Sequence, residues 1–184
     1  MRKFSRLFIK GFSLALCVLF LTGGTSYADW TTITQADRNS RIYTQGLHDV
    51  GLKGGACKVW VTDVARVASN LAGGPTVYLP ATADNGNGWY WVYDPTGHAV
   101  SYGQYPLSLL VPGMIIQMRI RVVGGGYGPH TAIVIGNSAV NGGTLTFVES
   151  NYTGDYYVKT RSTTYTSFLN SLEPYNHYTV YTIR

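Results

Sequence analysis

The chain has 184 residues, of which only 12% are charged, and its 14 Lys and Arg against 9 Asp and Glu give a formal net charge of +5. This length provides for one domain with a real hydrophobic core. The many glycines (22) and tyrosines (15) indicate a fold rich in strands and loops and exclude a helical bundle.

The first 28 residues have the pattern of a secretory signal peptide. Four basic residues within positions 1–10 precede an apolar run over 12–21, and Ser26-Tyr27-Ala28 places small residues where a signal peptidase reads them. The apolar run is too short to remain as a membrane anchor. We therefore predict a leader over 1–28 and a mature domain over 29–184. The protein is expected to be secreted, extracellular or associated with a cell wall.

The predicted mature chain is close to neutral. It has 10 basic and 9 acidic residues, a net charge near +1, because the leader contains four basic residues and no acidic ones. It also lacks a basic cluster, which argues against a nucleic-acid partner or an acidic membrane surface. We expect a monomer without a stable membrane anchor.

The mature chain keeps a single cysteine, Cys57, because Cys17 lies inside the predicted leader. Secreted proteins are in an oxidising environment where disulfides persist, yet Cys57 has no second cysteine to pair with in the mature chain. Two interpretations follow: a small buried hydrophobic residue, or a reactive thiol kept for chemistry.

The first elements in chain order are a polar lead-in and a helix. We expect residues 29–46 to be extended or briefly helical, followed by a glycine-rich loop. From Cys57 the apolar spacing is helical, and the sequence "NLAGGP" at 70–75 ends the helix with glycines and a proline. Two adjacent stripes are predicted on its buried side: Trp60, Val64, Val67 and Leu71, and Cys57, Val61, Val64 and Ala68.

Strands follow a long aromatic segment. Residues 76–105 contain several turn signals and are predicted to form loops with short helical or strand pieces. Alternating or apolar runs then predict strands within 113–123, 130–136, 144–151 and 177–184. A helix followed by a run of strands favours an α+β fold with an antiparallel sheet.

Two of these strands set a histidine against a carboxylate. A hairpin loop over 136–143 would place His130 directly opposite Glu149. Because side chains alternate along a strand, Glu149 and Asn151 share a face with Leu145 and Phe147. The alternative is that His130 is ordinary polar surface and that Glu149 and Asn151 form a solvated strand end.

Cys57 and His130 together would suit nucleophilic catalysis. A free thiol is mostly protonated at neutral pH, but a helix N-terminus and a nearby imidazolium both favour the thiolate. Glu149 or Asn151 would hydrogen-bond the other ring nitrogen and orient the histidine. Gly54 and Gly55 are expected to leave room for a substrate beside the sulfur. The Cys57 N–H is the expected oxyanion donor, as acyl transfer through a thioester requires.

The order of these features resembles the CHAP group of cysteine peptidases and amidases, which belong with the NlpC/P60 proteins in the papain-like superfamily. "GGACKVWV" supplies Cys57, "HTAIVI" supplies His130, and "ESN" supplies Glu149 and Asn151. The likeness runs from about residue 40 to 184. It implies a papain-like α+β fold in which the N-terminal helix carrying the cysteine packs on an antiparallel sheet.

The resemblance also implies hydrolysis of amide bonds in peptidoglycan or a related peptide, with no cofactor. The cut bond would be the one between muramic acid and L-alanine or one within the stem or cross-bridge peptide. Trp89, Trp91 and Tyr93 would line the substrate groove, or else pack in the core or a loop. The acidic calcium loop of some members is absent, so no metal is predicted, and the family's "PGD" sequence reads Pro112-Gly113-Met114 here.

Two other functions stay open on the sequence. A non-catalytic wall-binding or structural module could use the same fold, since a fold does not establish an activity. A papain-like transglutaminase would pass the acyl group to an amine instead of water.

Overall fold

The structure is a computed structural model that describes residues 30, 32–69, 89–91, 105–121, 123–174 and 178–183, with the backbone alone at 89–91. The predictions on the leader, on Leu71 and on Tyr93 lie outside the described residues. The helices and strands in chain order are α1 (Gln35–His48), α2 (Cys57–Ala68), β1 (Trp89–Trp91), β2 (Ile115–Arg121), β3 (Tyr127–Ser138), β4 (Thr144–Ser150), β5 (Val158–Thr164), α3 (Tyr165–Ser171) and β6 (Thr179–Ile183). Two short 3-10 helices cover Leu107–Leu109 and Val140–Gly142.

The strands form one antiparallel sheet in the order β1-β6-β2-β3-β4-β5. Helices α1 and α2 lie against this sheet, so the predicted α+β class and the helix-on-sheet arrangement are confirmed. The predicted strand regions contain β2, β4 and β6, whereas β3 extends beyond the predicted 130–136 at both ends. The sequence analysis did not predict β5 or α3.

The sheet is apolar on both faces. On one face Ile133 and Val148 pack with Ile42 of α1 and Trp60 of α2. The opposite face carries the alternating residues of the same strands, including Phe147, against Phe168 of α3 and other apolar residues. Both faces are covered because apolar residues at successive strand positions point to opposite sides. Within the described ranges, no helix has the length and apolarity to cross a bilayer.

Helix α1 is longer than the expected lead-in. Thr34 and Asp37 form a capping box, in which the Asp37 N–H donates to Thr34 Oγ1 (3.1 Å) and the Thr34 N–H donates to Asp37 Oδ2 (3.3 Å). Burial of Ile42 then fixes the 14-residue helix on the sheet. The loop before β2 also packs tightly on α1, since a Cβ at Gly113 would lie 2.0 Å from the Asn39 carbonyl oxygen.

Helix α2 begins at Cys57 and ends at Ala68, just before the predicted stop sequence. Its buried side includes Trp60, Val61, Val64 and Ala68, as predicted, whereas Val67 is exposed and the stripe through it was wrong at that position. The Trp60 indole donates a 3.0 Å hydrogen bond to Asp49 and so joins α2 to the end of α1. With α2 packed on β3 and β4, its N-terminus lies close to these strands.

The hairpin of β3 and β4 differs from the predicted register. Glu149 lies opposite Ala132 and not opposite His130, because the turn is shorter than expected and β3 has an irregularity between Val134 and Gly136. The displacement from the predicted register is two residues, an even number. The side chains of His130 and Glu149 therefore still lie on the same face of the sheet, close enough to pair diagonally.

Candidate active site

Strand β5 and the end of β4 hold the loop that leads into Cys57. The Gly54 N–H donates to the Tyr156 carbonyl at 2.9 Å, the Gly51 N–H donates to the Val158 carbonyl at 3.0 Å, and the Val158 N–H donates to the Leu52 carbonyl at 2.9 Å. Ser150 Oγ, which is buried at the end of β4, donates to the Gly55 carbonyl at 2.7 Å. The start of α2 is thus fixed by hydrogen bonds to the sheet.

The two glycines before the cysteine have different roles. A Cβ at Gly54 would lie 2.7 Å from Ser150 Oγ and from a Val158 methyl group, so this position is packed against the sheet and not open. The expectation of space beside the sulfur was wrong for Gly54. Gly55 has φ +78°, a left-handed backbone conformation that favours glycine, and no atom would lie within 4 Å of an added Cβ. The space beside Gly55 is therefore open.

The thiol of Cys57 meets the imidazole of His130. Cys57 is the first residue of α2 and is partly buried, and its thiol lies near enough to His130 for the imidazole to lower the pKa of the thiol by hydrogen bonding and by charge. Hydrogen bonding from the backbone N–H groups of Thr131 and Lys58 also lowers the pKa of Cys57. Ala56 provides no side-chain cap to the helix, so the first-turn N–H groups receive no acceptor from that residue. Donors therefore surround the sulfur, which suits a thiolate.

The other side of the imidazole meets Glu149. His130 Nε2 lies 2.9 Å from Glu149 Oε2, and the two residues are only 5% and 1% exposed. Because Nε2 is engaged by the carboxylate, Nδ1 is the ring nitrogen left for the sulfur. The His130 ring thus lies between the thiol of Cys57 and the carboxylate of Glu149.

Each of these three groups stabilises the charge of its neighbour. Burial disfavours the imidazolium, but the hydrogen bonds to Cys57 and Glu149 and their negative charges outweigh it and raise the pKa of His130 to about 9. Burial also opposes ionisation of the thiol, yet the hydrogen bond and charge of His130 hold the pKa of Cys57 below its ordinary value. The site therefore favours a thiolate–imidazolium pair at neutral pH.

Glu149 has a second cation that the sequence analysis did not identify. Arg161 of β5 donates from Nε to Glu149 Oε1 and from Nη2 to Glu149 Oε2, the latter at 3.1 Å. Burial favours the neutral carboxyl, but His130 and Arg161 outweigh it and lower the pKa of Glu149. Alternation along β5 puts Arg161 on the face shared with Glu149, so the pattern would have indicated it once that strand was recognised.

Asn151 does not share the role of Glu149. It follows β4 with φ +61°, and its buried Oδ1 has no hydrogen-bond partner among the described residues. The sequence left open whether Glu149 or Asn151 orients the histidine, and in the structure the carboxylate makes that contact.

The three aromatic candidates, Trp89, Trp91 and Tyr93, have side chains outside the described part of the structure. Trp89 and Trp91 belong to β1. Both alternatives for the three aromatic residues, a substrate groove or packing in the core or a loop, stay predictions.

Comparison with known proteins gives few matches. No protein-family model matches the chain, and no curated protein matches it. The chain is similar to two crystal structures of Ly7917, one of them with the hydrolyzing product of MDP, at 17% and 18% sequence identity and a TM-score of 0.44. Each match covers 82% of this chain and 63% of the Ly7917 chain, so this chain spans less than two thirds of that protein. Any function of this chain is therefore argued from its own residues.

Proposed function

We propose that this protein is a secreted cysteine hydrolase that cleaves amide bonds in peptidoglycan through a thioester intermediate. The observation that carries the proposal is the placement of Cys57, at a helix N-terminus, beside a buried His130 that is backed by Glu149 and that lowers the pKa of the thiol. Peptidoglycan as the substrate, and a papain-like catalytic domain over 29–184, rest on the likeness of these residues to the CHAP pattern.

The first half of the reaction forms the acyl-enzyme. The Cys57 thiolate attacks the carbonyl carbon of the amide, a C–S bond forms, and the carbonyl oxygen becomes an oxyanion near the Cys57 N–H. His130 then gives its Nδ1 proton to the amide nitrogen, the C–N bond breaks, and the amine leaves. The raised pKa of His130 keeps this proton available at neutral pH.

The second half returns the enzyme to its starting state. Neutral His130 takes a proton from water, the resulting hydroxide attacks the thioester carbon, and the C–S bond breaks. Sulfur leaves as the thiolate beside the imidazolium, and the product carries a new carboxyl group. Throughout, Glu149 holds the ring so that Nδ1 faces the sulfur.

Mass spectrometry of peptidoglycan incubated with the purified mature protein tests the proposal. Wild type should release fragments with new amine and carboxyl ends, and Cys57→Ala and His130→Ala should each lower the rate by about 10³-fold or more. His48→Ala is the matched control, because His48 is an exposed histidine paired with Asp49 and is not among the groups that act on Cys57, His130 or Glu149.

The two alternative functions give different results in the same experiment. Binding to peptidoglycan without any new ends, together with ordinary thiol reactivity, would identify a non-catalytic module. Incorporation of an added amine at the new acyl end, in place of a free carboxyl group, would identify a transglutaminase. Either result rejects the hydrolase.

A further inference from the structure

Arg161 is fixed more tightly than an ordinary surface arginine. Its guanidinium binds both oxygens of Glu149 and lies 4.3 Å from the centre of the Tyr152 ring and 5.1 Å from the centre of the Phe147 ring. Tyr152 in turn makes an edge contact with the His130 ring at 5.6 Å. A planar guanidinium suits both the carboxylate and the aromatic faces, whereas a lysine ammonium would suit neither as well.

The charges around the thiolate balance only when Arg161 is included. The reactive form has two anions, Cys57 and Glu149, and two cations, His130 and Arg161. Without Arg161 the same form would have one unbalanced negative charge in a largely buried cluster. The cluster would then keep one more proton at neutral pH. That proton would go to the thiol, because a thiol is a weaker acid than a carboxyl group, with ordinary pKa values of about 8.5 and 4.3.

We propose that Arg161 is a positioning residue of this site: its guanidinium aims the Glu149 carboxylate at His130 and supplies the cation that balances the thiolate form. The inference rests on the proposed function, because it assigns the role of Arg161 to the same cysteine chemistry. It does not require a particular substrate.

The other groups facing the pair do not supply this charge. Met118, the β2 residue opposite His130, is uncharged. Lys159 lies opposite Glu149 on β5, but its ammonium is exposed and bound to Asp155 and Thr153. Lys58 on α2 affects Cys57 through its backbone N–H, and the cations that lower the pKa of Glu149 are His130 and Arg161. Tyr152, after β4, contacts Arg161 and His130 with its ring.

The pH dependence of Cys57 alkylation by iodoacetamide, followed by mass spectrometry, tests this role without any substrate. Arg161→Met should move the alkylation midpoint upward by about one pH unit, the low end of the effect of a nearby charge, because Arg161 acts through Glu149. Arg161→Lys should shift it less, since the charge is kept and the paired contact is lost. Lys159→Gln is the matched control, a cation removed from the same strand and face, and should leave the midpoint in place.

A double-mutant cycle separates an effect through Glu149 from a general loss of charge or packing. In a Glu149→Gln background Arg161 has no carboxylate to balance, so adding Arg161→Met should not raise the midpoint further. NMR titration of the His130 ring should follow the same pattern, and circular dichroism would verify that each variant is folded.

The outcomes distinguish the two proposals. A wild-type midpoint at the value of a free thiol would reject the proposed function. A low wild-type midpoint that Arg161→Met and Arg161→Lys leave unchanged or lower would overturn the role of Arg161 alone. The role would also be overturned if Arg161→Met raised the alkylation midpoint equally in the wild-type and Glu149→Gln backgrounds. The same holds if Lys159→Gln raised the midpoint as much as Arg161→Met.

Discussion

Replacing Glu149 with glutamine removes one charge from the centre of the site and keeps the shape of the side chain. The amide oxygen of glutamine can still accept from His130 Nε2, which lies 2.9 Å from the carboxylate in the wild type. Orientation of the ring is therefore retained, while the anion that supports the imidazolium is lost. Arg161 is also left without its carboxylate, which disfavours a second cation nearby.

The size of the effect follows from the titration of His130. Its pKa is raised from 6.5 to about 9, which corresponds to roughly 3 kcal/mol in favour of the imidazolium. Cys57 and Glu149 are the two anions responsible. Removing one of them should withdraw about half of this free energy, equal to about one pH unit or a tenfold change in the ion-pair equilibrium.

Cys57 alkylation measured across pH provides the assay. The Glu149→Gln midpoint should rise by about one unit relative to wild type. At a pH below both midpoints the rate should fall by only about three- to fourfold, because a more basic thiolate is also more nucleophilic. An unchanged midpoint in a folded Glu149→Gln protein would refute the electrostatic coupling through His130.

Three further predictions use the same contacts. Hydrolysis should have a bell-shaped pH profile that rises as Cys57 ionises and falls above about pH 9 as His130 loses its proton, and a rate still rising well beyond that pH would contradict the assignment. Folding raises the pKa of His130 and lowers that of Cys57, so their opposite proton linkages offset each other in the wild type. In Cys57→Ala only Glu149 raises the His130 pKa, and urea titrations should find roughly 1–2 kcal/mol of stability lost as the pH rises above 6.5. Gly54→Ala should lower the free energy of unfolding by about 1–3 kcal/mol, because its Cβ would lie 2.7 Å from Ser150 Oγ, whereas Gly126→Ala, with nothing within 4 Å, should melt like wild type.

Local periodicity in the sequence was sufficient for several parts of the fold and the site. The helical spacing from Cys57 and the alternation around Glu149 predicted α2 and β4, because both patterns depend on near neighbours in the chain. Side-chain alternation alone placed His130 on the same side of the hairpin as Glu149. This placement was correct although the predicted register was wrong, because the register error was an even number of residues.

Contacts between distant segments decided the rest. The pairing of β4 with β5 brings Arg161 to Glu149, and the irregularity in β3 sets which residues of the hairpin lie opposite each other. Packing of α2 on the sheet brings Cys57 to His130. The sequence by itself determined which chemical groups this protein has and which sides of its strands they occupy. Only the tertiary structure decided which of them touch, because side-chain alternation fixes a direction, whereas a contact also requires strand order, register and helix packing.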